Sequence, residues 1–185
     1  ANGELYVADR GNNRVLEFDD AFAGDAQADR VLGQPAMNSN APASGATGLS
    51  APTGLSLDRS NNLYVADTAN NRVLEIDDPL AAGVVADRVF GQPNLSSNTC
   101  NPTGVTASSL CAPTDVTVTD TNGGDAIYVA DGGNQRILRY DAPFCRSEFT
   151  LTAANRHDHS TRSKPKSMSV DVKSGPNPLA PDDIL

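Results

Sequence analysis

Leu63-Tyr64-Val65-Ala66-Asp67-Thr68-Ala69-Asn70-Asn71-Arg72-Val73-Leu74-Glu75-Ile76-Asp77 decides how this chain is read, because it occurs three times. An earlier copy is Leu5-Tyr6-Val7-Ala8-Asp9-Arg10-Gly11-Asn12-Asn13-Arg14-Val15-Leu16-Glu17-Phe18-Asp19, and a later one is Ile127-Tyr128-Val129-Ala130-Asp131-Gly132-Gly133-Asn134-Gln135-Arg136-Ile137-Leu138-Arg139-Tyr140-Asp141. Tyr6 and Tyr64 are 58 residues apart, Tyr64 and Tyr128 are 64. Repeats of that length belong to stacked or radial architectures. Within each copy, two short runs of alternating apolar residues flank a polar turn, which is the signature of two strands.

Working outward, two more segments recur with the same step. Ala28-Asp29-Arg30-Val31-Leu32-Gly33-Gln34-Pro35 returns as Ala86-Asp87-Arg88-Val89-Phe90-Gly91-Gln92-Pro93. Ala51-Pro52-Thr53-Gly54-Leu55-Ser56-Leu57-Asp58 returns as Ala112-Pro113-Thr114-Asp115-Val116-Thr117-Val118-Thr119. One unit therefore has four strands: a (54–57), b (63–66), c (72–76) and d (87–90). Turns fall at Asp58–Asn62 and Asp120–Asp125. The faint calcium-loop look of the latter lacks the closing glutamate of an EF-hand, so a hairpin turn is the reading there. No apolar spacing of three and four persists, so no helix is expected in 1–145. A four-stranded unit in tandem is the pattern of an all-β propeller. The chain holds b-c-d, a-b-c-d and a-b-c, about 2.5–3 blades, with the last d strand missing or altered.

The pattern Pro-x-Gly-apolar, Tyr-Val-Ala-Asp and Asn-x-Arg-apolar over residues 3–144 resembles the NHL-repeat β-propeller family. The version with Asp-Arg-Val-Phe-Gly-Gln-Pro is similar to bacterial NHL-repeat proteins, often secreted and multi-domain. The third unit departs from it, with Asp115 in place of Gly54 and no Gly-Gln-Pro. The resemblance implies a ring of about six blades. Fewer than three are present, so the expectation is a fragment of a ring or a subunit that completes one with other copies.

The chain has 185 residues and a formal net charge of −9. Residues 1–145 hold eight arginines, no lysine and 18 acids, a net of −10. That balance excludes a nucleic-acid backbone as the expected partner, and no apolar run is long enough to span a membrane. Every lysine and both histidines, His157 and His159, lie in 146–185. The shift marks a boundary near Cys145, with 146–185 read as a linker or poorly ordered tail. One strand-like run there, Met168–Val172, reads as the start of a further module. No signal peptide is read at the start, Ala1-Asn2-Gly3-Glu4.

Asp9, Asp67 and Asp131 end strand b, and Arg14, Arg72 and Arg136 begin strand c five positions later. Recurrence in every unit favours a structural role for these pairs, within or between blades; an anion or ligand clamp is the alternative. Asn12, Asn13, Asn70, Asn71 and Asn134 are turn formers that tolerate left-handed backbone. The b–c turns share a face with the d-to-a connections, Pro35–Ala51 and Pro93–Ala112, which are long and differ in sequence. Loops of that length in a compact fold often carry function. The expected binding face combines those five asparagines with Asn38, Asn40, Asn98 and Asn101, and its expected partner is a protein or glycan.

Cys100 and Cys111 lie in one long loop and are expected to pair; two reduced buried thiols are the alternative. A disulfide there points to an extracellular or periplasmic location. Cys145 is left over. The chemistry for catalysis is thin. Residues 1–145 have no histidine for a triad or an axial metal site, and no phosphate-cradling glycine loop is present. The expected function is a non-catalytic binding or scaffold module without a cofactor. The alternative is a calcium-assisted lactonase- or lyase-like propeller enzyme whose axial site is completed by other blades. Asp115 is the candidate cation ligand for that alternative. Open blade edges are expected to favour self-association.

Overall fold

The computed structural model describes residues 3–22, 26–81, 84–121 and 124–141. Cys145, His157, His159 and Met168–Val172 lie outside them. Ten strands form three antiparallel sheets: β1 (Leu5–Asp9), β2 (Arg14–Phe18) and β3 (Arg30–Leu32); β4 (Pro52–Leu57), β5 (Leu63–Asp67), β6 (Arg72–Ile76) and β7 (Arg88–Phe90); β8 (Pro113–Thr121), β9 (Gly124–Asp131) and β10 (Arg136–Asp141). Each sheet is a meander in chain order, and each is one blade of a partial β-propeller. No α-helix occurs among the described residues.

The repeated hairpin sets the register. Asp9 pairs with Arg14, Asp67 with Arg72 and Asp131 with Arg136, so the five-residue spacing places each acid directly opposite its base. The chain reverses through one 3-10 turn in each blade (Arg10–Asn12, Thr68–Asn70, Gly132–Asn134), closed by a left-handed residue: Asn13 at φ 54°, Asn71 at 55° and Gln135 at 54°. Asparagine tolerates that region because its short amide bonds locally. The first asparagine of each turn, Asn12, Asn70 or Asn134, stays right-handed and uses its side chain instead. Strand a begins at Pro52 rather than Gly54, with a bulge between Pro52 and Leu55, and β8 repeats this between Pro113 and Asp115.

Alternation gives every blade two faces. Leu63, Val65, Leu74 and Ile76 of the second blade pack on Val15, Leu32 and Leu49 from the first blade and its connection. Ile127 and Val129 are the third blade's counterparts of Leu63 and Val65, and both are fully buried. Tyr140 stands where Ile76 does and meets Phe90 of the second blade, with ring centroids 5.2 Å apart. The core is thus the set of junctions between blades.

Glycine sets how closely inner strands approach. A Cβ at Gly54 would lie 2.6 Å from the Asp115 Cα and 2.9 Å from the Val116 nitrogen. The obstruction is backbone, so no rotamer change relieves it. Gly54→Ala is expected to destabilise the chain by about 1–3 kcal/mol, read as a lowered urea midpoint at unchanged m-value.

Candidate functional site

The candidate site is the face where the three turns meet the two long connections, Gly33–Pro52 and Gly91–Pro113. These connections have few backbone ladders of their own, so their polar groups need donors and acceptors from elsewhere. One side-chain frame supplies them at both junctions.

The second blade shows it in full. Arg72 Nε donates to Asp67 Oδ2 at 2.7 Å, and neither side chain is exposed. The other Asp67 oxygen accepts the Ser50 N–H at 2.7 Å. Asn70 donates to Asp67 at 2.8 Å and to the Ala43 carbonyl at 2.8 Å. The Arg72 guanidinium reaches the Gly45 and Gly48 carbonyls at 3.0 and 2.9 Å on the preceding connection, and the Leu95 carbonyl on the following one. The ion pair therefore lies within a blade, while the arginine fork holds the loops on both sides. In the third blade Asp131 accepts from Arg136 at 2.8 Å and from the Cys111 N–H at 2.8 Å. Arg136 reaches the Thr106 and Ser109 carbonyls, both at 2.7 Å. In the first blade Arg14 donates to Asp9 at 2.7 Å and to the Met37 carbonyl.

A second clamp was not legible in the sequence. Asn13 accepts the Ala51 N–H at 2.8 Å and donates to the Asn40 carbonyl at 2.9 Å. Asn71 does the same with Ala112 at 2.8 Å and Asn98 at 2.9 Å. Gln34 donates to the Asn13 and Ala41 carbonyls at 2.8 and 2.9 Å; Gln92 donates to Asn71 and Thr99, both at 2.8 Å. The recurrence of Gly-Gln-Pro was the available signal. Its glycines, Gly33 and Gly91, have φ of +86° and +87° and leave room for Leu49 and Leu110.

The asparagines of this face therefore fall into two sets. Asn12, Asn13, Asn70, Asn71 and Asn134 are bonded within the frame, and Asn101 exchanges amide hydrogen bonds with Asn134 at 2.8 and 2.9 Å. The side chains of Asn38, Asn40 and Asn98 are exposed and make no hydrogen bond among the described residues. Beside the first connection lies an open groove of about 1260 Å³, lined in part by Val31, Pro35, Met37, Ala41, Pro79 and Leu80.

Cys100 and Cys111 form a disulfide. They replace Pro42 and Ser50 of the first connection: the Ala43 N–H bonds to the Leu49 carbonyl at 3.0 Å, and the Asn101 N–H to that of Leu110 at 3.2 Å. The second connection has three more residues between those anchors. Asp115 is exposed, and its carboxylate accepts its neighbour's N–H, that of Val116, at 2.9 Å. The described group of three acids close enough to share a cation lies elsewhere, at Glu17, Asp19 and Asp29. There the Asp29 carboxylate closes the c–d turn by accepting the Asp19 N–H, and Arg30 bonds to Glu17 at 2.8 Å. Asp77 and Asp87 repeat that closure in the second blade.

Burial tunes these carboxylates differently. The Asn12 amide, followed by Arg14, holds the more open Asp9 below the usual range. Burial pushes Asp67 up, opposed by Arg72, Asn70 and the Ser50 N–H. Glu75 is also raised by burial, despite Arg88 at 3.0 Å and the Tyr64 hydroxyl at 2.9 Å. Burial, with Glu17 second, pushes Tyr6 up to about 12.

Arg72→Met strands a buried carboxylate and is expected to cost about 3–5 kcal/mol; Arg14→Met, at a part-exposed pair, is expected to cost about 1 kcal/mol or less. Denaturation of both variants reads the difference. Glu75 binds its proton more tightly folded than unfolded. Its contribution to stability is therefore greatest at and below the unfolded value of about 4.5 and falls as pH rises through the folded one. Glu75→Gln is expected to flatten that fall in melting temperature as pH rises above about 4.5.

Residues 49–75, which run from the end of the first connection through most of β6, match the NHL repeat family. No curated protein matches the chain. Among solved structures, the chain is similar to a selenomethionine-substituted virginiamycin B lyase from Staphylococcus aureus, at 18% identity and a TM-score of 0.41, covering 80% of this chain and 40% of that one. It is similar to a streptogramin B lyase at 12% identity and a TM-score of 0.43, with the same 80% and 40% coverage. The chain thus spans well under half the length of either. The matched NHL repeat lies at the centre of the chain, and its residue pattern recurs in β1–β3 and β8–β10.

Proposed function

We propose that the chain is a non-catalytic binding module whose contact surface is formed by the tips of the two long connections. One observation carries this reading. The bonds that hold the connections are repeated residue for residue, whereas the exposed tips they carry differ. Met37, Asn38 and Asn40 project from the first tip, and Asn94, Ser96 and Asn98 from the second. The Asn40 and Asn98 backbones are fixed by Asn13 and Asn71, so their side chains are presented at little further ordering cost. Amide and hydroxyl groups on a rigid base suit hydrogen bonding to a protein or a glycan. The first tip adds the apolar groove beside it. The disulfide favours an oxidising compartment, outside the cytoplasm.

The test is a screen of the whole chain against displayed peptides and a glycan array, followed by titration of the strongest hit. Replacing Met37, Asn38, Asn40, Ser96 and Asn98 together by alanine is expected to weaken that hit at least tenfold. The melting temperature should stay near that of the parent, because the frame uses none of these side chains. Unchanged affinity in the variant would refute the reading.

A further inference from the structure

The groove beside the first connection is lined by every residue from Asp29 to Met37. Successive side chains of a strand point to opposite faces. A groove touched by all of Arg30, Val31 and Leu32 therefore runs along the outer edge of β3. β3 corresponds to β7, the last strand of the four-stranded sheet, and each is hydrogen-bonded on one side only. That edge is open because a blade ends at its fourth strand, whatever precedes β1. The opposite wall is formed by Pro79, Leu80, Ala81 and Val84, which follow β6 of the second blade. Val84 packs on the core cluster that holds Leu32, so the junction of the two blades sets the spacing of the walls.

The two ends of the groove differ. The connection end is lined by Pro35, Met37 and Ala41, all exposed. The turn end begins on one wall at Asp29, whose carboxylate closes the c–d turn on the Asp19 N–H. On the other wall it begins at Pro79, which follows Asp78. The first turn gathers Glu17, Asp19, Asp20 and Asp29 around a single base, Arg30, which is bonded to Glu17. The second repeats this with Glu75, Asp77, Asp78, Asp87 and Arg88. Asp77 registers the crowding of acids: its carboxyl is raised by burial first and by the nearby Asp87 next. No lysine occurs among the described residues, so this end of the groove is rich in carboxylate and short of cation.

We propose that the groove takes an extended peptide segment of a partner protein, with an apolar side chain at the connection end and a lysine or arginine at the turn end. The inference rests on the binding-module reading and gives the partner its chemistry. An open strand edge offers N–H and C=O groups that a peptide backbone pairs with as one more strand; a glycan has no such ladder to add. The groove's volume of about 1260 Å³ exceeds the roughly 300–1,000 Å³ of small-molecule pockets. No aromatic side chain among the described residues lines it for a sugar ring to stack on. Asp29 and Pro35 are six positions apart in sequence. Fully extended, that stretch covers about 20 Å, so the partner's two anchors are expected roughly four to six residues apart.

The experiment is fluorescence anisotropy of short labelled peptides titrated with the full chain. The peptides are rich in serine and glycine and carry one leucine and one arginine at separations of about two to eight residues. Controls replace the leucine by serine or the arginine by glutamate, and a neutral oligosaccharide is titrated beside them. Binding is expected to peak at a separation of roughly four to six residues and to weaken about tenfold in either control. Leu80→Ser should weaken the best peptide about tenfold. Asp20→Asn/Asp78→Asn should weaken it about threefold and reduce its salt dependence. Both aspartates are exposed and left-handed, at φ 52° and 45°, a backbone that asparagine tolerates. Circular dichroism checks folding, and Ala81→Lys, at an exposed position on the same wall, replaces Leu80→Ser if that variant does not fold. Leu80 and Asp78 lie outside the connection tips, so the tip variant separates the two readings. Loss of binding in the tip variant alone would overturn the groove and leave the binding module standing; affinity that no variant alters would overturn both. A preference for the oligosaccharide or for glutamate over arginine, or no bound peptide, would also overturn the proposal. So would a full-length dimer that Leu80→Ser converts to a monomer, since the groove would then belong to a second copy.

Discussion

The buried contact between Asp67 and Arg72 is what the arrangement of the second blade depends on. An ion pair taken wholly out of water contributes little net stability, because desolvating both charges offsets their attraction. Its value here is positional. The carboxylate has two oxygens, one used by Arg72 and Asn70 and the other by the Ser50 N–H. The guanidinium has further N–H groups, and they satisfy carbonyls of both flanking connections. A lysine would offer one point charge without the planar fork. The connections run close to the core at Leu49 and Leu110, so their carbonyls would otherwise be left without donors. The pair thus couples the hairpin turn of a blade to the path of the chain entering and leaving it.

The same residues behave differently at the ends of the arc, and position alone accounts for it. Asp67 is fully buried, whereas the Asp9 side chain is 24% exposed. Its partners are nearly the same, yet Asp9 is held below the usual carboxylate range and Asp67 is raised. Water around Asp9 removes most of the desolvation penalty and leaves the hydrogen bonds to dominate. The hairpin is one chemical device in two dielectric settings, and neighbouring blades set which applies.

Much of the fold was legible because its signals are local. Alternation in Leu55-Ser56-Leu57 and Val116-Thr117-Val118 marks strands without any knowledge of partners. The five-residue offset of Asp67 and Arg72 marks the hairpin. The site was legible only in outline, because its bonds are distant in sequence. Asn13 reaches Asn40 and Ala51, and nothing near Asn13 announces either. Adjacent asparagines look alike in sequence, yet Asn12 serves the carboxylate while Asn13 adopts the left-handed backbone and reaches the next connection. Gln34 and Gln92 recur as plainly as the aspartates, but a glutamine suggests no particular partner until the loop carbonyls are in place. Glycine at 54 was visible as a pattern and became a physical constraint only once Asp115 was found against it.

The two connections show how the frame tolerates change. Each is held at corresponding points: by the glutamine near its start, by the left-handed asparagine, and by the aspartate of the following blade near its end. Between the inner anchors the second connection is longer by three residues, from Asn101 to Leu110 against Ala43 to Leu49. Extra residues raise the entropic cost of fixing a loop slowly, as the logarithm of its length. The Cys100–Cys111 bond spans that enlarged segment and removes part of the freedom it gains in the unfolded chain. It also leaves the frame intact, since the Cys111 N–H still serves Asp131 as the Ser50 N–H serves Asp67. A connection can therefore change length and surface while its ends stay where the blades require them.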